Sequence, residues 1–212
     1  ENMSLIRIKL NPAISPAANA QKYYKDYQKA KNAEHILTEQ IEKGRSELEY
    51  IDSVLDTVSR AESERELAQI REELTEQGYL RKQKGKQRPQ AALPPLEFTS
   101  SDGFKILVGR NNTQNDKLTL KIANKNDMWL HTKDIHGSHT VVFAEGREIS
   151  DTAILEAAQL AAYYSKARES SQVPVDYTLV RYVSKPSGAR PGMVIYVNNK
   201  TVYVTPKTNI SK

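Results

Sequence analysis

Residues 109–142 read GRNNTQNDKLTLKIANKNDMWLHTKDIHGSHTVV, in which short apolar runs alternate with Asn, Asp, Lys and Gly. The stretch holds the only tryptophan of the chain and three of its four histidines. Polar residues of this density usually lie at the surface, since each would need a hydrogen-bond partner in a core. The stretch therefore predicts a β-sheet that carries a polar recognition surface.

Further strand-like runs continue this pattern to the end of the chain. The candidate strands are residues 104–109, 118–123, 128–132, 139–143, 178–183, 193–197 and 201–205. Asn198-Asn199 favours a tight hairpin between the last two. An Ala-rich helix is expected from about Ser150 to Arg168, with acids toward its start and bases at its end. These elements predict a compact mixed β-sheet domain with one main helix over residues 96–212.

A long helical arm is predicted before this domain. Residues 3–10 alternate like a short strand, and Ser15-Pro16 suits the start of a helix. A heptad pattern then runs almost to residue 60, which predicts a coiled coil. Its a and d positions are Ala20, Tyr23, Tyr27, Ala30, Glu34, Leu37, Ile41, Gly44, Leu48, Ile51, Leu55 and Val58. The expected fold class is α+β, with an arm over residues 1–80.

A second, shorter helix follows the first. Ser63 to Glu66 reads as a capping box, and Gly78 is expected to end the helix. A hairpin of this length covers only Leu48 to Val58 of the first helix. The apolar seam from Tyr23 to Ile41 then needs another partner helix, because a bare stripe of this size is rarely stable. A second copy of the chain and a helix from an absent upstream segment are both candidates.

Residues 81–95 form a basic, Pro-containing linker. Positive charge is concentrated in the C-terminal part: residues 1–80 hold 11 Lys and Arg against 15 Asp and Glu, and residues 81–212 hold 20 against 11. Such asymmetry favours a polyanionic partner, RNA rather than membrane. The linker is either a solvated tether or an arm that contacts phosphates. Its five cations are Arg81, Lys82, Lys84, Lys86 and Arg88.

Composition excludes several classes of protein. The chain lacks cysteine, so a disulfide framework is excluded and a zinc site is not expected. No run approaches the roughly 20 apolar residues of a membrane helix. The sequence contexts of a nucleophile elbow at Ser138 and of a phosphate loop at Gly109 are both missing, so we expect no enzyme and no cofactor. A metal site at His131, His136 and His139 is not expected either, because the Gly137 turn separates His131 from His139 and no cysteine accompanies them. The start at Glu1 suggests a fragment of a longer protein.

Hydrogen bonding and stacking remain as the expected chemistry. Trp129 and His131 share one face of a strand and Lys133 continues that face beyond it, where the three would stack on bases and hold phosphates. Trp129 has an alternative role as a core anchor. Further contacts are expected in the loop after residue 109, at the turn after residue 136, and in the rigid basic loop 185–192. These candidates are Arg110, Asn111, Asn112, His139, Lys185 and Arg190.

Several spaced motifs resemble the NFACT family. In the C-terminal part they are Asp102-Gly103-Phe104, Gly109 to Asn112, Asn115-Asp116, Leu118-Thr119, Trp129-x-His131-x-Lys133-Asp134, Gly137-Ser138-His139, Lys185-Pro186, Pro191-Gly192 and Tyr203 to Pro206. Upstream, they are Asn19-Ala20-Gln21, Tyr24, Tyr27, Ile70 to Leu74 and Gly78-Tyr79. His136 departs from the pattern, since proline is commoner there. The resemblance covers nearly the whole chain and adds Asn115 and Asp134 to the expected RNA-binding residues.

The resemblance implies a role for the intact protein in ribosome quality control. It would bind large ribosomal subunits blocked by peptidyl-tRNA and recruit alanyl-tRNA for C-terminal alanine tailing of the nascent chain. The present chain would supply the end of the coiled coil and the RNA-binding domain, in the cytoplasm. Relatives in Gram-positive bacteria are also described as fibronectin-binding proteins. A fibronectin-binding surface adhesin and virulence factor, exported without a signal peptide, is therefore the alternative.

Overall fold

The computed structural model describes residues 6–82 and 92–208. The chain divides into two compact units, Glu1–Leu48 and Glu49–Lys212. Helix α1, Pro16–Arg60, contributes to both units, and helix α2 is Glu64–Glu76. The mixed α+β class is confirmed. Within the described residues no helix is long and apolar enough to span a membrane.

Helix α1 agrees with its predicted bounds, and Ser15 caps its start by accepting a hydrogen bond from the Ala18 N–H (3.1 Å). The strand predicted at residues 3–10 is wrong where it can be seen, because residues 6–10 have no regular structure; residues 3–5 lie outside the described part. The predicted heptad seam is exposed to solvent. Its exposed large apolar residues are Tyr23 (45%), Tyr27 (57%), Leu37 (55%), Ile41 (53%), Leu48 (62%), Leu55 (65%) and Val58 (39%).

Helix α2 packs against α1 as a hairpin, but on another face of α1 than the heptad predicts. The buried residues are Tyr50 and Val54 on α1 and Ile70 on α2. The capping box is confirmed, since the Ser63 side chain accepts the Glu66 N–H. Beyond α2, Gly78 has a φ of 84°, the left-handed conformation that favours glycine at a helix end.

Six antiparallel strands form the main sheet of the second unit. In chain order the strands are β1 Leu96–Thr99, β2 Lys105–Val108, β3 Met128–Thr132, β4 Thr140–Val142, β5 Val173–Leu179, β6 Val183–Ser184, β7 Ile195–Tyr196 and β8 Lys200–Val204. The order across the sheet is β1-β2-β4-β3-β5-β8, and β6 and β7 pair separately. The predicted hairpin at Asn198-Asn199 is therefore wrong, because the two strands it joins pair with different neighbours.

Both faces of the sheet are apolar and covered. Helix α4, Asp151–Tyr163, packs its alanines on the face that carries Ile106, Leu130 and Val142. This helix ends five residues before the predicted Arg168. The opposite face carries Trp129 and Val141, and it is covered by α3, Asn112–Lys117, by the π-helical turn Leu118–Ile122, and by the β6–β7 pair. A strand was predicted at 118–123, and the π-helical turn replaces it.

Candidate nucleic-acid interface

Strand β3 places Trp129 and His131 on one face, as the alternation predicts, and Lys133 follows the end of the strand. Trp129 is fully buried and packs against three rings. Its ring centroid lies 5.8 Å from that of His131, 5.2 Å from His139 and 4.8 Å from Tyr196. The indole is thus the core anchor of this face, the alternative role considered for it. In this conformation it offers no surface on which a base can stack.

His139 is also a core residue. Its Nδ1 lies 2.8 Å from the Thr119 hydroxyl, and its backbone N–H donates to Asn115 Oδ1 at 3.0 Å. Burial, with the neighbouring His131 as the next cause, lowers the pKa of His139 to about 3. Asn115 in turn requires glycine at 109, where an added Cβ would lie 2.1 Å from Asn115 Oδ1. His139 and Asn115 therefore fix α3 to the sheet.

His131 and the turn after it are only partly accessible. Burial lowers the pKa of the half-buried His131 to about 4, so its imidazole is neutral at physiological pH and carries no charge for a phosphate. Lys133 and Asp134 are exposed, and Asp134 takes a left-handed φ of 55°. Among the predicted site residues of the sheet domain, these two side chains are the exposed ones.

Arg110 connects the sheet domain to α2. Its Nη1 lies 2.5 Å from Glu66 Oε1, and its Nε donates to the Pro94 carbonyl at 2.9 Å. Burial alone would raise the pKa of Glu66, but the hydrogen bond from the Glu62 N–H and the Arg110 guanidinium lower it. Arg110 is therefore held in an internal ion pair with the Glu66 carboxylate.

Asn111 and Asn112 are buried at the same junction. The Asn111 side chain caps α3 by accepting the Gln114 N–H at 2.8 Å. The Asn112 amide donates to Ser53 Oγ of α1 at 2.9 Å. Both amides therefore hold structural hydrogen bonds. Contact of these residues with RNA stays a prediction.

Glu73 of α2 is the central residue of the junction, and sequence reasoning missed it. One carboxylate oxygen accepts the Tyr50 hydroxyl at 2.9 Å, and the other accepts the N–H and the hydroxyl of Thr113 at 3.0 and 3.1 Å. Burial and the Glu73 carboxylate raise the pKa of Tyr50. The available signal was the position of Glu73 beside Ile70 and Leu74, on the apolar stripe of α2.

The basic loop 185–192 folds back on the same region. Lys185 pairs with Asp116, and Asp116 also accepts the Gly192 N–H at 3.0 Å. Arg190 donates to Gln77 at 3.1 Å and lies over the Tyr79 ring, with its Cζ 5.3 Å from the ring centroid. Both cations are thus engaged within the protein. Of the linker cations, Arg81 and Lys82 are exposed, and Lys84, Lys86 and Arg88 lie outside the described residues.

The structure thus brings most of the predicted residues together, but at a junction rather than on an open surface. Arg110, Asn111, Asn112 and Arg190 join the hairpin of α1 and α2 to the sheet domain, and Trp129 and His139 lie beneath α3. The described residues contain no group of three His, Asp or Glu that would hold a metal ion. The exposed cations elsewhere on the domain are therefore the groups that are available to contact a polyanionic ligand.

Comparison with known proteins assigns the family. A family model described as NFACT N-terminal and middle domains matches residues 1–92, and one described as NFACT protein RNA binding domain matches residues 95–198. The chain belongs to the NFACT family. This NFACT chain is 49% identical over 209 residues to the Rqc2 homolog RqcH of Bacillus subtilis (strain 168) and 45% identical over 202 residues to that of Streptococcus suis (strain 05ZYH33).

The NFACT chain spans 36% of the length of each of these relatives, while the matches cover 97% and 95% of the chain itself. A solved structure, the C-terminal part of the fibronectin/fibrinogen-binding protein of Streptococcus suis, superposes with a TM-score of 0.84 at 44% sequence identity. The match covers 90% of this NFACT chain and 77% of that one. The two chains therefore share one fold.

Proposed function

We propose that the sheet domain of this chain binds structured RNA, either ribosomal RNA or tRNA. The observation that carries the proposal is the match of residues 95–198 to the NFACT RNA-binding domain. The matched range takes in most of the six-stranded sheet and the helices on its two faces. Exposed lysines on this domain, such as Lys117 and Lys133, suit phosphate contacts, which supply most of the affinity for nucleic acid.

For the intact protein we propose a cytoplasmic role in ribosome quality control. It would bind large subunits blocked by peptidyl-tRNA and recruit alanyl-tRNA for alanine tailing. Support comes from the 49% identity to the Rqc2 homolog RqcH of Bacillus subtilis and from the NFACT motifs of the sequence. Because this chain spans 36% of that relative, we expect it to contribute RNA contacts and not to support tailing by itself.

We further propose that α1 is one strand of a coiled coil. Its exposed stripe includes Tyr27, Leu37 and Ile41, each more than half exposed, and repeats with the heptad period. A partner helix would cover this stripe. The two candidates are a helix of the intact protein that lies outside this chain and a second copy of the chain.

Binding measurements with the 212-residue chain test the RNA proposal. We expect labelled tRNA or purified large subunits to bind with an affinity that falls steeply as KCl is raised, because each phosphate contact contributes roughly 0.7 to 0.9 to the slope of log K against log salt. A DNA duplex of the same length as the tRNA is the control for attraction that depends on net charge alone. Absence of salt-dependent binding to both tRNA and large subunits would refute the proposal.

Binding to fibronectin is the second candidate function. The observation that favours it is the 44% identity to the Streptococcus suis protein described as fibronectin/fibrinogen-binding. Competition with heparin separates a specific site from general electrostatic attraction. Specific binding should survive an excess of heparin, whereas binding through the cations alone should disappear.

A further inference from the structure

The π-helical turn after α3 lies in a group of exposed cations that the RNA-binding motifs do not include. Lys117 ends α3, Lys121 lies in the turn, Lys125 follows it, and Arg181 lies beside Lys125. All four are exposed, and within the described residues none of them forms an ion pair. We propose that this surface, here called the lysine face, binds the phosphate backbone of RNA. The inference rests on the proposed RNA-binding function and adds the location of the contact.

The helical backbone places the first two cations together. Helix α3 continues directly into the π-helical turn, which is closed by the bond from the Ala123 N–H to the Leu118 carbonyl at 2.9 Å. Lys117 and Lys121 are four residues apart, and side chains at this spacing lie about 5–6 Å from each other on a helix. Their ammonium groups therefore reach neighbouring phosphates of one RNA strand.

Hydrogen bonds place the other two cations next to each other. The backbone N–H and Nε of Arg181 both donate to the Lys125 carbonyl at 3.3 Å, and its guanidinium also contacts the Asn126 side chain. The Val180 N–H donates to the Asp127 carbonyl at 2.9 Å, which fixes the segment before Arg181 to the same turn. The fold thus holds the Arg181 guanidinium beside the backbone of Lys125.

The carboxylates of this segment do not neutralise the lysine face. Asp116 is paired with Lys185 and accepts the Gly192 N–H. Asp127 is 2% exposed and accepts the N–H groups of Asn124 and Ala144 at 2.7 and 2.9 Å. In the turn that follows Ala144, Glu145 is paired with Arg147. The face therefore presents positive charge to a ligand.

Apolar and amide side chains lie among the cations. The π-helical turn leaves Leu120 and Ile122 exposed by 40% and 47%, and the Tyr182 ring next to Arg181 is 37% exposed. Short π-helical segments occur frequently at functional sites. An exposed aromatic ring beside Arg and Asn suits riboses and unstacked bases. Exposed cations with these neighbours favour RNA over an acidic protein as the partner.

Charge reversal on the 212-residue chain tests the inference. The variant is Lys117→Glu with Lys121→Glu, and the matched control is Lys166→Glu with Lys207→Glu. The control residues are exposed, flank α4 on the opposite face of the sheet, and change the net charge equally. Affinity for labelled tRNA is measured against KCl for both variants and for the unmodified chain, and circular dichroism checks that each variant is folded.

We expect the lysine-face variant to bind tRNA at least tenfold more weakly, with a salt slope smaller by roughly 1.4 to 1.8, since two phosphate contacts are lost. The control should lose less than threefold. If both variants bind like the unmodified chain, the lysine face is refuted and the RNA-binding function stands. If the unmodified chain binds no RNA, both proposals fail. A lysine-face variant that loses large subunits but keeps tRNA and naked ribosomal RNA would identify a protein partner and overturn the inference.

Discussion

The imidazole of His139 is buried among Trp129, Thr119 and Asn115, with Lys185 and His131 nearby. Burial, followed by the charge that His131 would carry if protonated, lowers the pKa of His139 from its ordinary 6.5 to about 3. The folded protein therefore keeps this histidine neutral over a pH range in which the unfolded chain binds a proton. The neutral form of His139 is therefore the one that packs beneath α3 in the folded protein.

We expect the free energy of unfolding to fall as the pH drops below about 6.5 and to keep falling toward the folded pKa of about 3. The unfolded state binds the extra proton in this range, so His139 contributes a loss of about 1.4 kcal/mol per pH unit. Urea unfolding at pH 7.5, 6.0 and 5.0 measures the slope. His139→Gln should flatten it, and the slope that remains belongs to the other groups that titrate in this range, His131 among them. Equal slopes would contradict the assignment.

Helix α2 joins the arm to the sheet domain through side chains on one face. Glu66 binds Arg110, Gln69 lies 3.4 Å from the Asn111 amide, and Glu73 binds Thr113 and Tyr50. These positions lie three and four residues apart, so they share one side of the helix. Helix α2 thus covers the C-terminal turns of α1 and also contacts α3.

Removal of the Glu73 carboxylate should destabilise this junction strongly. Glu73→Ala leaves the buried Tyr50 hydroxyl and the half-buried Thr113 donors without an acceptor, and we expect a loss of about 3 kcal/mol in the free energy of unfolding. Glu72→Ala, an exposed neighbour on the same helix, is the control and should change it by less than about 0.5 kcal/mol. A double-mutant cycle with Tyr50→Phe measures the coupling directly. A loss no larger than that of the control would show that the carboxylate is dispensable.

Local signals in the sequence predicted the elements they encode. The bounds of β3, Met128–Thr132, and the cap of α2 at Ser63 were predicted, because alternation and capping depend on neighbouring residues. The run 118–123 was misread because alternation predicts a strand that buries Leu118, Leu120 and Ile122 together. The π-helical turn instead buries Leu118 and leaves Leu120 and Ile122 exposed. Contacts between residues that are far apart in the sequence left no comparable pattern.

The same lack of a signal for long-range contacts explains why the candidate site differs from the predicted one. The polar residues of 109–142 were expected to form a recognition surface, but a sequence does not show that Arg110 and Asn112 have partners some 40 to 60 residues away on α1 and α2. Buried polar residues that satisfy one another resemble a recognition surface in composition. The exposed Lys121 of the π-helical turn was overlooked because a strand was expected there.

Positive charge is distributed unevenly over the whole molecule. Residues 92–208 hold 14 Lys and Arg against 11 Asp and Glu, so the folded domain itself carries a small excess. The linker from Arg81 to Arg88 adds five cations and no acid. If RNA affinity depends on the total number of phosphate contacts, the linker and the lysine face should each add to the affinity independently of the other.

Neutralisation of the linker tests whether it is an arm or only a tether. Replacement of its five cations by Gln (Arg81, Lys82, Lys84, Lys86 and Arg88) should lower tRNA affinity at least tenfold and reduce the salt slope by up to about 4, because up to five phosphate contacts are removed. A chain in which linker residues 81–95 are shuffled keeps the charge and length, and it should bind tRNA like the unmodified chain, because phosphate contacts do not depend on residue order. Unchanged binding by the neutral linker would assign it a tethering role alone, and all RNA contacts would then belong to the sheet domain and the arm.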